Sequence, residues 1–508
     1  MRKICLTLLI VSFYSTVALG QTPITIDQTS SFLDPSRSGL IDFENNKPGT
    51  SEWHLTQPAK GGELEGYAYS PTDQVPSSVN KGGLLDIRVN TVYASYKVRM
   101  FRMGNYGGSY ATEIFLLESV FPGKRQIMPS PDPANFNVIV PRWDVSFTLK
   151  IPESLMECPS GLYLIQLTGL DSAGEERGQR FVPFIVRDDE RPSALLVKLG
   201  FSADQAYNGW HDAIGGLGQS IYAHTSKDGK KALKVALVRP HDFDGTASLQ
   251  HIIGMVAFLE KQGFDVSYTT GVDIDKQGFL IPQKNKAVLF VGHDEYWSKA
   301  ERDYVESAKK LGVSLIFWGA NQCYRQVRYE EYLGMPYAIM AGFKESWALD
   351  PVAKINPALA TTEFSSAQVN RPECYLIGTE FLTENQLEES NPADAIIASV
   401  ADIVMQDTDV KVGEVISKIV GYEYNSTPTL SQLLSAGISN LRVIARADFP
   451  KKPPMEMTVY RAQPYGNIVF SASTINAVKL EHPWLRKLLL NVLTEASQTT
   501  SSPWKTSK

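Results

Sequence analysis

The chain lacks most features that announce a specialised class of protein. It has 4 cysteines in 508 residues and no CxxC pair, which excludes a disulfide scaffold and the common zinc modules. Beyond the leader Cys5, only Cys158, Cys323 and Cys374 remain, so at most one bond can form in an oxidising compartment. After residue 20 no run is long and apolar enough to span a bilayer. Charge of one sign is missing too: Lys and Arg total 49 against 55 Asp and Glu, for a net charge of -6 with no long run of either sign. Without a basic footprint, nucleic acid is excluded as a partner. The HExxH, GxSxG, P-loop and GxGxxG patterns are all absent, and so are the chemistries they carry.

What is present starts with an export signal. Arg2 and Lys3 precede the apolar run Ile4 to Val11, and Ala18-Leu19-Gly20 reads as a small-residue cleavage site before Gln21. The expectation is a signal peptide over 1–20, a secreted or periplasmic location, and no membrane anchor after cleavage. The whole chain is 43% hydrophobic with 22 Tyr and 22 Phe, enough for a large core and for two or three domains.

Residues 21–188 carry the marks of an all-β sandwich. Leu85-Asp86-Ile87-Arg88-Val89 and Tyr96 to Phe101 alternate apolar with polar, placing one face in a core and one in water. The polar segment Arg187 to Pro192 reads as a linker. From 189 to 496 the period changes. Strands are expected at 194–199, 234–238, 266–268, 287–291 and 313–318, with helices at 248–263 and 298–310. Ser298 with Glu301 makes a capping box. Strand and helix in alternation predict an α/β parallel-sheet catalytic domain. The tail, 497–508, is Ser/Thr-rich and expected to be disordered.

In an open parallel sheet, ligands bind past the carboxyl ends of the strands. Four exits there carry chemistry: Gly292-His293-Asp294-Glu295-Tyr296-Trp297, Gly319-Ala320-Asn321, Arg239-Pro240-His241 and Ala206-Tyr207-Asn208-Gly209-Trp210. Imidazole, carboxylate and phenol together suit a metal ion. Of the 7 histidines, His241 and His293 stand just past buried strands and are the functional candidates. His211, His224 and His251 read as surface or structural, and Cys323 as half-buried and structural. Tyr296, Trp297, Trp210 and Trp318 are read either as pocket walls or as core. Asn425-Ser426-Thr427 is a glycosylation sequon.

Several strings resemble the N,N-dimethylformamidase large (beta) subunit family. They are Gln205 to Trp210, Gly292 to Ser298, Phe317-Trp318-Gly319-Ala320-Asn321 and Gly421-Tyr422-Glu423-Tyr424, with weaker echoes at 44–53, 101–108 and 469–475. The resemblance implies a mononuclear iron held by two tyrosines and a glutamate, with histidine, asparagine and a second glutamate in catalysis. By motif, Tyr207 and Glu295 are metal ligands, and His293, Asn321 and Glu423 are catalytic. Where the family ends a strand with Arg-Pro-Tyr, this chain has Arg239-Pro240-His241. His241 then takes the third ligand position, unless Tyr222 or another tyrosine does. An imidazole in place of a phenolate removes one negative charge, which suits ferrous iron or zinc. The expectation is an exported metal-dependent hydrolase of the C–N bond of a small amide, carrying one iron or zinc. The alternative is an exported binding protein on the same scaffold, holding a carbohydrate or a partner. The family pairs its large subunit with a small one. A small second subunit or a homo-oligomer is therefore the partner expectation, beside the amide.

Overall fold

The structure, a computed structural model, describes residues 24–25, 39–154, 157–210, 219–223, 226, 229–241 and 247–498. The expected signal peptide, His211, His224 and the tail beyond Gln498 lie outside these residues. The chain divides into two compact units. One comprises Met1–Asp189, Tyr207–Tyr268 and Glu330–Ile339, the other Glu190–Ala206, Thr269–Tyr329 and Met340–Lys508.

The first unit contains two five-stranded sheets. Leu64–Ser70, Leu84–Thr91 and Phe147–Lys150 lie in one; Ser95–Met103, Gly161–Leu170 and Glu176–Arg187 lie in the other. The alternation in the sequence has the expected cause. Leu85, Ile87 and Val89 of one sheet share a core with Val98, Met100, Ile165 and Phe184 of the other, while Asp86 and Arg88 point away from it. The helix Ala247–Lys261 groups with this unit. A buried ion pair accounts for that: Arg102 on a sandwich strand donates to both oxygens of Glu260 on the helix, at 2.8 and 2.9 Å. Tyr268 Oη donates to the same carboxylate at 3.0 Å. Two charges this deeply buried are tolerated because both carboxylate oxygens and both terminal guanidinium nitrogens are hydrogen-bonded.

The second unit overturns the expected α/β parallel-sheet domain. Strand outweighs helix among the described residues, 36% against 24%, and the sheet here is mixed. Ser193–Leu199, Asn285–Val291, Ser314–Trp318 and Asn467–Ser471 run parallel to their neighbours in that order. Beyond them Lys452–Ala462, Arg442–Phe449, Ala393–Ile397 and Val415–Val420 continue antiparallel. The cause lies in the connections. Gln463 to Gly466 joins two strands as a hairpin, and a link that short can only reverse the chain. Apolar runs such as Ala287 to Val291 report burial on both faces, and burial is silent about strand direction. Val288, Phe290, Leu315, Phe317 and Val469 form the core with Trp297 and Val305. The Ser298–Glu301 capping box is present at the head of the helix Lys299–Lys310.

Candidate active site

Three strand ends of the second unit deliver one cluster of side chains. Asn285–Val291 and Ser314–Trp318 end level, with Val291 opposite Trp318, and Gly292 N–H donates to Trp318 O at 3.0 Å. The two exits then come into direct contact. A Cβ on Gly319 would sit 2.2 Å from Gly292 O, and Gly292 itself has φ +72°. Only glycine allows this approach. Gly319→Ala is expected to cost about 1–3 kcal/mol of stability, read as a lower urea midpoint at unchanged slope; an unchanged midpoint would show that the exits can separate freely.

Past the first exit come His293 and Glu295, and past the second comes Asn321. Asn321 adopts φ +50°, a left-handed conformation that asparagine tolerates better than most residues. Its N–H donates to Asn425 Oδ1 at 2.9 Å. That bond ties it to the segment bearing Glu423, which runs along the end of the third strand: Ile475 N–H donates to Glu423 O at 3.1 Å and Asn425 N–H to Ser473 O at 3.0 Å.

The side chains meet around the His293 imidazole. Nε2 lies 3.2 Å from Glu423 Oε2 and 3.4 Å from Glu295 Oε2. Asn321 Nδ2 lies 3.3 Å from Glu423 Oε2, to which it donates, and 3.1 Å from His293 Nε2. Arg325 Nε donates to the far oxygen of Glu295 at 3.2 Å, and Arg325 Nη1 to Glu363 at 2.6 Å. His293 is the most accessible of the group at 19%, while Glu295 is exposed by only 2%. Burial pushes the Glu423 carboxyl above its usual range and nearby Glu295 adds to this; His293 and the Asn321 hydrogen bond pull the other way. A carboxyl with raised proton affinity, one hydrogen bond from an imidazole, is equipped to take and return a proton.

His293, Asn321, Glu423 and Glu295 are thus brought together. Tyr207 and His241 belong to the first unit. Tyr207 stacks on Tyr222, ring centroids 4.1 Å apart. His241 Nε2 is 3.2 Å from Ser77 Oγ. Burial, then the charge of Arg239, holds its pKa down to about 3, so the imidazole stays neutral, the form that binds metals. Of the expected metal donors the second unit contributes Glu295, a buried carboxylate gripped on one oxygen by Arg325. Among the described residues, no group of three or more His, Cys, Asp or Glu side chains forms a metal-ligand set.

Other expectations resolve plainly. Cys323 is fully buried rather than half-buried; its Sγ lies 3.0 Å from Arg302 Nη1, and burial pushes the thiol up to about 12. The three described cysteines are all free. Tyr296, Trp297 and Trp318 are core. Asn425 is 2% exposed and is committed to Asn321 and Thr379, so the folded sequon has no room for a glycan. Sequence reasoning missed Arg325. A lone arginine seven residues past Trp318 carries no motif, and the three carboxylates it meets are 20 or more residues away.

Comparison with known proteins gives one informative result. No curated protein matches. Among solved structures, a family 123 glycoside hydrolase from Clostridium perfringens is 9% identical over 53% of this chain and 50% of that one, with a TM-score of 0.10. That likeness carries no argument, and the chain spans about half of that structure's length. The family model for the C-terminal region of N,N-dimethylformamidase beta subunit-like proteins matches residues 97–481. That stretch takes in every strand end that builds the site, and the chain belongs to the N,N-dimethylformamidase beta subunit-like family.

Proposed function

We propose that the protein hydrolyses the C–N bond of a small amide, with Glu423 as general acid and base. The observation that carries this reading is the cluster itself: a buried carboxyl with raised proton affinity lies 3.2 Å from an imidazole and 3.3 Å from an amide donor. Glu423 accepts a proton from water as its oxygen attacks the carbonyl carbon. Asn321 turns an N–H toward the oxyanion that develops there. Glu423 then returns the proton to the amide nitrogen, the C–N bond breaks, and a carboxylic acid and an amine leave. His293, at the accessible end of the cluster, orients the substrate and passes protons between Glu423 and solvent.

A panel of small amides and esters, N,N-dimethylformamide and formamide among them, tests this reading. Turnover of an amide supports it. Turnover of esters alone would move the bond to C–O, and a protein that turns over nothing but binds a ligand would return the binding-protein alternative, for which His241 in place of tyrosine is the argument.

The metal is a separate proposal that rests on the family strings. One iron or zinc ion per chain is expected, released on loss of Tyr207, His241 or Glu295. A neutral imidazole and a buried carboxylate are suitable donor types. Such an ion, when bound, polarises a carbonyl or activates water; none of the steps above passes through it. Elemental analysis of wild type and His241→Ala should find about one equivalent in the first and little in the second. Equal metal in both would take His241 out of the ligand set.

A further inference from the structure

The strand exit bearing His293 and Glu295 has a reverse side. Side chains alternate along an extended segment, and Asp294, between the two, turns inward. Asp294 Oδ2 is 2.7 Å from Lys198 Nζ, each side chain 1% exposed. The same oxygen accepts from Trp297 Nε1 at 2.9 Å, and Asp294 O accepts from Cys323 N–H at 2.9 Å. Lys198 also pairs with Glu301, the capping-box glutamate of the helix Lys299–Lys310, and its ammonium stands 4.2 Å over the Trp297 ring. Lys198 sits opposite Phe290 in the neighbouring parallel strand. One buried cation therefore binds a strand, the exit loop and the next helix.

We propose that Lys198 and Asp294 are positioning residues for the reaction: the ammonium fixes the Asp294 carboxylate, and that anchor aims His293 and Glu295 on either side of it at Glu423 and Arg325. Three features carry the inference. The pair is fully desolvated, and such a pair in an apolar core is a weak source of stability but a strong geometric constraint. Its anchor is the residue between two site residues. The backbone it holds is the one whose carbonyls receive Cys323 and Arg325 N–H, each at 2.9 Å, so the exit carrying Asn321 is registered by the same lock. The inference depends on the proposed function for what the segment does, and on geometry alone for what holds it.

The test compares wild type with Asp294→Asn, which keeps shape and an acceptor for Trp297, and with Lys198→Met. Two readings are taken: steady-state kinetics on the best amide of the panel, and the NMR resonance of the His293 Cε1–H at fixed pH, assigned with His293→Gln. In both variants kcat is expected to fall by about tenfold to a hundredfold, with KM changed by less than about threefold. The His293 resonance should move while those of His54 and His482 stay. A folded Asp294→Asn protein with unchanged kcat and an unmoved resonance would overturn the proposal. Should wild type turn over no amide, the hydrolase reading fails, and the resonance still decides the positioning role. Should Lys198→Met not fold, Asp294→Asn decides alone; if that variant too fails to fold, the pair is a folding element and the proposal is wrong.

Discussion

Glu423→Gln is expected to lower turnover of any amide substrate by about a hundredfold or more and to leave the fold intact. Glutamine keeps the shape and one acceptor, so Asn321 and the surrounding backbone retain their partners. What is lost is the capacity to hold and return a proton. The pH dependence follows from the raised affinity of this carboxyl. The base form exists above its pKa, so in wild type the acid limb of kcat/KM should fall at a pH above the ordinary glutamate value of about 4.3. In the variant that limb should vanish together with most of the rate. Undiminished turnover in Glu423→Gln would remove this residue from the mechanism. A wild-type limb below the ordinary value would contradict the desolvated setting in which the carboxyl is placed.

The second large effect is on stability. Asp204 is partly buried within the second unit; its Oδ2 is shielded from solvent and finds no hydrogen-bond partner among the described residues, and burial, with the charge of Asp294 behind it, pushes its pKa up to about 8. In the unfolded chain an aspartate ionises near pH 3.9. Between these values the native state holds a proton that the unfolded state has released, so native stability falls as pH rises. The contribution is fully present below about pH 4 and is lost through about pH 8. Each pH unit in that window is worth about 1.4 kcal/mol. Asp204→Asn cannot ionise. From pH 5 to pH 8 the wild type should therefore lose about 4 kcal/mol that the variant keeps, as measured by urea denaturation at both pH values. Parallel losses in the two proteins would show that Asp204 is already ionised in the fold.

How much of this was legible in the sequence depended on whether the signal was local. The sandwich strands announced themselves because a half-buried strand alternates within a few residues, as Leu85 to Val89 does. The Ser298–Glu301 box was legible for the same reason: both partners lie in one helical turn. His293 and Asn321 could be found because each follows an apolar run at once, and Glu423 through a family string. Strand direction was not legible. Val459, Val469 and Val288 are equally buried whether the neighbouring strand runs up or down, so the antiparallel half of the sheet read as more of the same. Nor could sequence place the helix Ala247–Lys261, since the charge that claims Glu260 is Arg102, 158 residues earlier. Arg325 and Lys198 were silent because a buried lysine or arginine looks like any surface one until its carboxylates are folded against it.

The most direct test of the central claim is product analysis of the amide panel in oxygen-18 water with the purified protein. The account predicts amine and carboxylate released in equal amounts, one heavy oxygen in the carboxylate and none in the amine, and loss of both products in Glu423→Gln. A folded, metal-replete protein that releases no amine from any amide would contradict it.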